Sequence, residues 1–136
     1  MKILIICSKK FYSNIPEIKN SLENMGHDVL LPNCYLDPGT EDRFRNLGIK
    51  EHADFKRKMF NQSENIISNI DSVLVLNFNK NGFENYIGGA TFLEMYDAFR
   101  MNKKIYLYND IPEGILKDEI IGFSPILIKG DLTKIL

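Results

Sequence analysis

Two short apolar runs constrain the fold more than any other feature of the sequence. Residues 2–7 read KILIIC, and residues 71–77 read DSVLVLN. Their apolar residues are continuous rather than alternating with polar ones, which is the pattern of a strand buried on both faces of a parallel sheet. Parallel strands need crossover connections, usually helices, and these cover the sheet. The two runs therefore predict an α/β fold with a mainly parallel sheet.

The rest of the chain alternates between helical and strand patterns. Apolar residues recur at helical spacing after Pro16, and Gly26 follows as a stop signal. The pattern predicts helices at 15–25, 51–69 and 91–101 and further strands at 29–31, 104–108 and 125–128. Alternating strands and helices predict a doubly wound three-layer sandwich with about five strands, of the flavodoxin or Rossmann type. The 136 residues fit a single domain spanning 1–136.

Three connecting segments carry weaker signals. Residues 8–14 are polar and are predicted to form a loop. The irregular segment 33–50 is predicted to hold a short helical piece at 41–47, and its length is typical of a lid, a binding loop or a subunit contact. A turn at Ile111-Pro112 is predicted to lead into a short helix ending at Lys117, and Asp131 to cap a terminal helical turn.

Charge and composition exclude several classes of protein. Seventeen basic and eighteen acidic residues give a net charge of -1, so no overall field attracts nucleic acid or an anionic membrane. No apolar run approaches the roughly 20 residues that span a bilayer, and residues 1–7 are too short for a signal peptide. Cys7 and Cys34 fit a reducing compartment, and His27 and His52 lack metal-ligand spacing. We expect a cytoplasmic protein without a metal or cofactor.

The run IGGATFLE at 87–94 lies between two predicted strands. Gly88 and Gly89 let the backbone approach a ligand closely, and the helix predicted to open at Thr91 offers free amides with a partial positive charge. In a parallel sheet, ligands bind beyond the carboxyl ends of the strands, where such a turn lies. The turn suits a phosphate, a carboxylate or a sugar, although glycine pairs are also common in ordinary turns.

Glu94 has two interpretations of about equal weight. It lies in the first turn of the predicted helix, and a carboxylate beside a bound sugar can attack the anomeric carbon or stabilise an oxocarbenium-like transition state. The residues Thr91 to Glu94 also match the capping box, in which Glu94 only accepts a hydrogen bond from the Thr91 amide. The residues alone leave both open.

The strand at 71–77, the run GATFLE at 89–94 and the strand led by Lys103-Lys104 together resemble the nucleoside 2-deoxyribosyltransferase superfamily, which includes deoxynucleotide N-hydrolases. The resemblance implies that Glu94 is a nucleophile forming a glycosyl-enzyme intermediate, and that Gly89, Ala90 and Thr91 line a sugar or phosphate pocket. It also implies a small-molecule nucleoside or nucleotide as substrate and a homo-oligomer. Many members carry an acid six positions before the glutamate, where this chain has Gly88.

Residues outside this run complete the predicted site. Asn85, Tyr86 and Asn79 are candidate replacements for the missing acid, and Lys9 is predicted either to contact phosphate or to be solvated. The predicted catalytic residue is Glu94, and the predicted substrate-binding residues are Gly88, Gly89, Ala90, Thr91, Ser8, Lys9, Asn77 and Asn85.

Three functions stay open at this stage. The first is cleavage or transfer at an N-glycosidic bond. The second is a non-catalytic nucleotide-binding or sensing protein of the same fold, which Gly88 favours. The third is an interaction domain in which Glu94 only caps its helix. The aromatic stripe of Phe92, Tyr96 and Phe99 is predicted to be either core or a dimer seam.

Overall fold

The computed structural model describes all residues from 1 to 136, and strands alternate with helices along most of the chain. The strands are β1 (Lys2–Cys7), β2 (Asp28–Leu30), β3 (Ser72–Leu76), β4 (Lys104–Leu107) and β5 (Ile126–Leu127). The α-helices are α1 (Ile15–Asn24), α2 (Thr40–Leu47), α3 (Ile49–Ser68), α4 (Gly89–Arg100) and α5 (Lys117–Gly122). Two 3₁₀ turns span Lys9–Asn14 and Leu132–Lys134.

All strand pairs in the five-stranded sheet are parallel, and the strand order is β2-β1-β3-β4-β5. This confirms the predicted doubly wound, flavodoxin-like α/β fold. The chain moves outward from β1 to β2 and then returns to place β3 on the other side of β1. Connections on the two sides of this switch point diverge, which opens a crevice at the carboxyl ends of β1 and β3.

The apolar run of β1 serves two cores, one on each face of the sheet. Ile3 and Ile5 pack with α1 on one face, and Leu4 and Ile6 pack with α3, α4 and α5 on the other. Successive side chains of a strand point to opposite faces, so a strand covered on both faces needs an unbroken apolar run. Fully burying one such side chain contributes about 1.5 to 3 kcal/mol, so both layers are firmly attached to the sheet.

Helix α4 begins at Gly89 rather than at the predicted Thr91, and Gly88 is its N-cap. No side chain caps the helix, so the capping-box interpretation of Thr91 and Glu94 is wrong. Thr91 is only 4% exposed and packs inward within the first turn. The two residues matched the sequence pattern of a cap, but the helix starts too early for either side chain to act as one.

Two of the connecting segments also differ from the predictions. The segment predicted as a loop at 8–14 contains the 3₁₀ turn Lys9–Asn14, in which Ser8 Oγ accepts a hydrogen bond from the Lys10 amide at 3.4 Å. The short helix predicted to end at Lys117 instead begins there. Gly114 has a φ of +130°, a conformation outside the α-helical region, so the chain cannot become helical until it has passed this turn. Asp131 caps the final turn as predicted, accepting from the Thr133 amide.

The aromatic stripe of α4 is a surface cluster rather than core. The rings of Phe92, Tyr96 and Phe99 lie 5.4, 6.2 and 5.6 Å from the ring of Phe123. Tyr96 and Phe99 remain 43% and 47% exposed. The homo-oligomer, and with it the dimer seam, stays a prediction.

Asn77 joins the carboxyl ends of β3 and β4. Its side chain is fully buried, with Nδ2 donating to the Asp110 carbonyl at 2.9 Å and Oδ1 accepting from the Asn109 amide at 2.8 Å. The Asn109 side chain donates in return to the Asn77 carbonyl at 3.1 Å. The buried Asn77 side chain therefore has hydrogen-bond partners within the protein, on residues 109 and 110, and serves to connect the two strand ends.

We expect Asn77→Ala to lower the free energy of unfolding by about 2 to 4 kcal/mol, because it breaks the bridge and leaves the partly buried Asn109 amide without an acceptor. Urea denaturation of both proteins measures the change. Asn61→Ala, at an exposed position on α3, is the matched control and should stay within about 0.5 kcal/mol of the wild type. A loss below about 1 kcal/mol for Asn77→Ala would show that the bridge is dispensable.

Candidate functional site

A cavity of about 570 Å³ opens at the carboxyl ends of β1 and β3, where the strand order predicts a crevice. The end of β1, the first turns of α4 and the α2–α3 helical pair form its walls. The structure brings together seven of the nine predicted site residues around it: Ser8, Lys9, Gly88, Gly89, Ala90, Thr91 and Glu94.

Asn77 and Asn85 do not line the cavity. Asn77 is committed to the bridge between β3 and β4. Asn85 has a φ of +55°, and its amide donates to Asn79 Oδ1 at 3.1 Å. Asparagine tolerates this left-handed conformation better than most residues, so Asn85 and Asn79 shape the loop. Neither is therefore placed to replace the missing acid.

Tyr86 lies against the backbone of Gly88. A Cβ atom at Gly88 would lie 3.2 Å from the Tyr86 hydroxyl oxygen, so a larger residue there would require the ring to shift by a few tenths of an ångström. Tyr86 itself lines the cavity beside Gly88, and a Cβ at Gly89 would meet open space. Tyr86, alone among the three candidate replacements, therefore lines the cavity wall beside Gly88.

Lys80 supplies a cation that the sequence patterns did not identify. Its Nζ donates to Ser8 Oγ at 3.1 Å and lies 4.6 Å from the centre of the Tyr86 ring. The backbone of Lys80 exchanges two hydrogen bonds of 2.9 Å with Phe83 across a tight turn at Asn81-Gly82, where both residues have positive φ. The Asn-Gly pair was the available signal, because it is typical of such hairpin turns.

These groups form an anion-binding end of the cavity, made of Lys80, Ser8 and the first turn of α4. Amides in the first turn of a helix have no intrahelical acceptor, and no side chain caps α4. A partial positive charge at that terminus adds to the charge of the Lys80 ammonium. This end of the cavity can therefore bind a phosphate or a carboxylate.

Glu94 lies farther along α4 in the same wall. Burial raises the pKa of its carboxyl group from 4.5 to about 7, Asp97 adds to the increase, and Lys56 opposes it. Burial and Glu94 together raise the pKa of the neighbouring Cys7 thiol to about 12. Near neutral pH the cavity therefore holds a carboxyl group that is ionised in part of the molecules, beside a thiol that stays protonated.

Asp97 lies one turn beyond Glu94 on α4, and both Asp97 and Ser63 of α3 line the cavity. Ser63 Oγ, on α3, donates to Asp97 Oδ2 at 3.4 Å, and Ser63 is only 6% exposed. Burial raises the pKa of Asp97, and the Ser63 hydrogen bond partly offsets this. Sequence reasoning missed this pair. The spacing of Glu94 and Asp97 by three residues, which places both on one helix face, was the signal.

A charged network holds the α2–α3 pair over the cavity. Glu41 contacts His52 at 2.9 Å, Arg45 at 3.3 Å and Lys56 at 3.4 Å. Lys9 forms an exposed ion pair of 2.9 Å with Asp42 and so ties the β1 end to α2. Lys9 therefore borders the cavity with its charge already paired, whereas Lys80 has no carboxylate partner.

Comparisons with known proteins define the fold and no family. No family model matches the sequence, and no curated protein sequence is significantly similar to it. Among solved structures, the fold is similar to that of the CMP N-glycosidase BcmB of Clostridium botulinum, with a TM-score of 0.53 and 18% identity over 93% of this chain and 84% of that one. The fold class is thus a flavodoxin-like α/β sandwich shared with an N-glycosidase.

None of the helices combines the length and the apolar composition that a membrane crossing requires.

Proposed function

We propose that this protein cleaves or transfers the N-glycosidic bond of a nucleoside or nucleotide, with Glu94 as the nucleophile. The observation that carries the proposal is the position of Glu94: it has no capping role, and its carboxyl group lies in a cavity wall beyond an anion-binding end. The similarity in fold to a CMP N-glycosidase supports the same class of reaction. The ligand in this proposal is a small molecule, and no metal or cofactor takes part.

In the proposed reaction the ionised Glu94 attacks the anomeric carbon of the sugar. The bond from that carbon to the base breaks, the electron pair leaves with the base, and an ester links the sugar to Glu94. Water, or an acceptor base in the case of transfer, then attacks the same carbon and loses a proton, which the base that has left takes up. The ester bond breaks and the carboxylate is regenerated, so two displacements retain the configuration at the anomeric carbon.

The anion-binding end supports a substrate that carries a phosphate. Lys80 and the uncapped amides of α4 would contact a 5′-phosphate, and hydrogen bonds between charged groups are stronger than those between neutral groups. Ser8 Oγ, which accepts from Lys80, would orient the ammonium group.

We expect Lys80→Met to weaken the binding of a nucleoside monophosphate about tenfold to a hundredfold, while binding of the unphosphorylated nucleoside changes less than threefold. Titration calorimetry with both ligands measures the two affinities. Lys10→Met is the matched control, because Lys10 carries the same charge as Lys80 but is exposed and does not line the cavity. Equal losses for both ligands would exclude Lys80 as the phosphate contact.

The decisive test of function is incubation of the purified protein with a pool of nucleosides and nucleotides, followed by chromatography for released base. Release of base supports the glycosidic reaction, and a new nucleoside formed on adding an acceptor base indicates transfer. Absence of release, together with a rise in melting temperature with the same pool, would instead support the nucleotide-binding alternative.

A further inference from the structure

The groups along α4 follow the same order as the parts of a nucleotide. A rise of about 1.5 Å per residue places Asp97 about 12 Å beyond Gly89 and about 4.5 Å beyond Glu94. The uncapped amides come first, Glu94 second and Asp97 third, and all of them line one cavity. In a nucleoside monophosphate the order is phosphate, anomeric carbon, base. With the phosphate at the amides and the anomeric carbon at Glu94, the base lies beside Asp97.

The surroundings of Asp97 suit a flat heterocycle. Leu93 lies one turn before Asp97 on α4, Met59 and Phe60 lie one turn before Ser63 on α3, and all three line the cavity. Apolar side chains can pack against the faces of a base, and a polar pair beside them can contact its edge. The Asp97 carboxyl group and the Ser63 hydroxyl form such a pair.

Asp97 forms no ion pair that would account for a carboxyl group at this place in the cavity wall. Its hydrogen-bond partner is the neutral Ser63 hydroxyl at 3.4 Å, a long contact for a carboxylate. The charge of Glu64 raises the pKa of Asp97, and the charge of Arg100 lowers it. A half-buried carboxyl group with one weak protein partner keeps acceptor capacity for a ligand.

We infer that Asp97, positioned by Ser63, reads the base and selects nucleotides whose base carries an amino group next to an unprotonated ring nitrogen, as cytosine and adenine do. The inference rests on the proposed function and specifies its substrate. An ionised Asp97 accepts a hydrogen bond from the amino group. A protonated Asp97 would also donate to an oxo group, so the selection belongs to the ionised form.

Bases with an oxo group in that position are disfavoured. Uracil and hypoxanthine present a carbonyl oxygen where cytosine and adenine present the amino group. An ionised Asp97 opposite this exocyclic position would set an acceptor against the carbonyl oxygen, and polar groups left without partners reduce affinity. Asparagine at the same position can accept from an amino group or donate to a carbonyl oxygen, so the substitution should reduce the preference.

The test measures binding in a Glu94→Gln background, which removes turnover. Titration calorimetry compares CMP with UMP, and AMP with IMP, for Glu94→Gln alone and combined with Asp97→Asn. We expect Glu94→Gln to bind at least one amino-bearing nucleotide at least about tenfold more tightly than its oxo counterpart, and the added Asp97→Asn to reduce that ratio to about threefold or less. Ser63→Ala, which keeps the carboxyl group, should reduce the ratio by a smaller factor.

Glu84→Gln is the matched control, because Glu84 is an exposed carboxylate that does not line the cavity and does not act on Asp97. It should leave the ratio unchanged. Equal binding of amino and oxo nucleotides, or an unchanged ratio in Asp97→Asn and Ser63→Ala, would overturn the inference, as would a complete lack of nucleotide binding. Base release by the wild type is measured separately, so a failure of base selection is distinct from a failure of the proposed reaction.

Discussion

Glu94→Gln is expected to reduce the release of free base by at least about a thousandfold. The amide is nearly the same size as the carboxyl group, so the cavity keeps its shape, but its oxygen is a poor nucleophile and cannot form the proposed ester. Removing the nucleophile of a covalent mechanism commonly costs several orders of magnitude in kcat. The expected loss therefore exceeds that of any variant in the binding residues.

Two measurements separate this result from a loss of binding. Calorimetry should show that Glu94→Gln still binds the nucleotide that the wild type cleaves. Mass spectrometry of acid-quenched samples should find a sugar adduct on the wild type and none on the variant. Glu64→Gln, with its exposed carboxylate on α3, should retain wild-type activity. Base release by Glu94→Gln at more than about a tenth of the wild-type rate would exclude Glu94 as the nucleophile.

The sheet could be predicted because burial dictates both the composition and the continuity of its central strands. KILIIC in β1 and SVLVL in β3 are covered on both faces, and few residue types other than Ile, Leu and Val satisfy such positions. The carboxyl ends of β1 and β3 then locate the crevice, since the order β2-β1-β3 places the switch point between these two strands. For the same reason, the predicted residues at the end of β1 and the start of α4 lie together.

The cavity residues outside β1 and α4 could not be predicted, because tertiary packing rather than a local sequence pattern brings them to the cavity. Lys80 is far from Ser8 in sequence and reaches it only through the turn at Asn81-Gly82. Ser63 is one small polar residue in a long helix, and nothing local indicates that it meets Asp97. Asn77 shows the converse: a polar residue at a strand end looked like a ligand-binding group, yet the scaffold uses all its hydrogen bonds.

The position of Glu94 should also cost the protein stability in a pH-dependent way. Its pKa is about 7 in the folded state, against 4.5 for an ordinary glutamate. Between these values the folded state retains a proton that the unfolded chain has lost, so the stabilising contribution of the protonated group is complete below pH 4.5 and falls as pH rises. Above pH 7 it is lost, and the difference between the two pKa values corresponds to about 3 kcal/mol.

Glu94→Gln should therefore be more stable than the wild type at pH 8, by up to about 3 kcal/mol, and nearly equal to it at pH 4, because glutamine stays neutral throughout. Urea denaturation of both proteins at several pH values measures the difference. Glu64→Gln should show no comparable gain at pH 8, since its side chain is exposed. If the extra free energy of unfolding of Glu94→Gln grows with pH, the fold tolerates an unfavourable charge at this position. Such a cost to stability is expected of a catalytic carboxylate. A difference that does not depend on pH would mean that Glu94 ionises as freely as a surface carboxylate, and the case for a poised nucleophile would lose its electrostatic support.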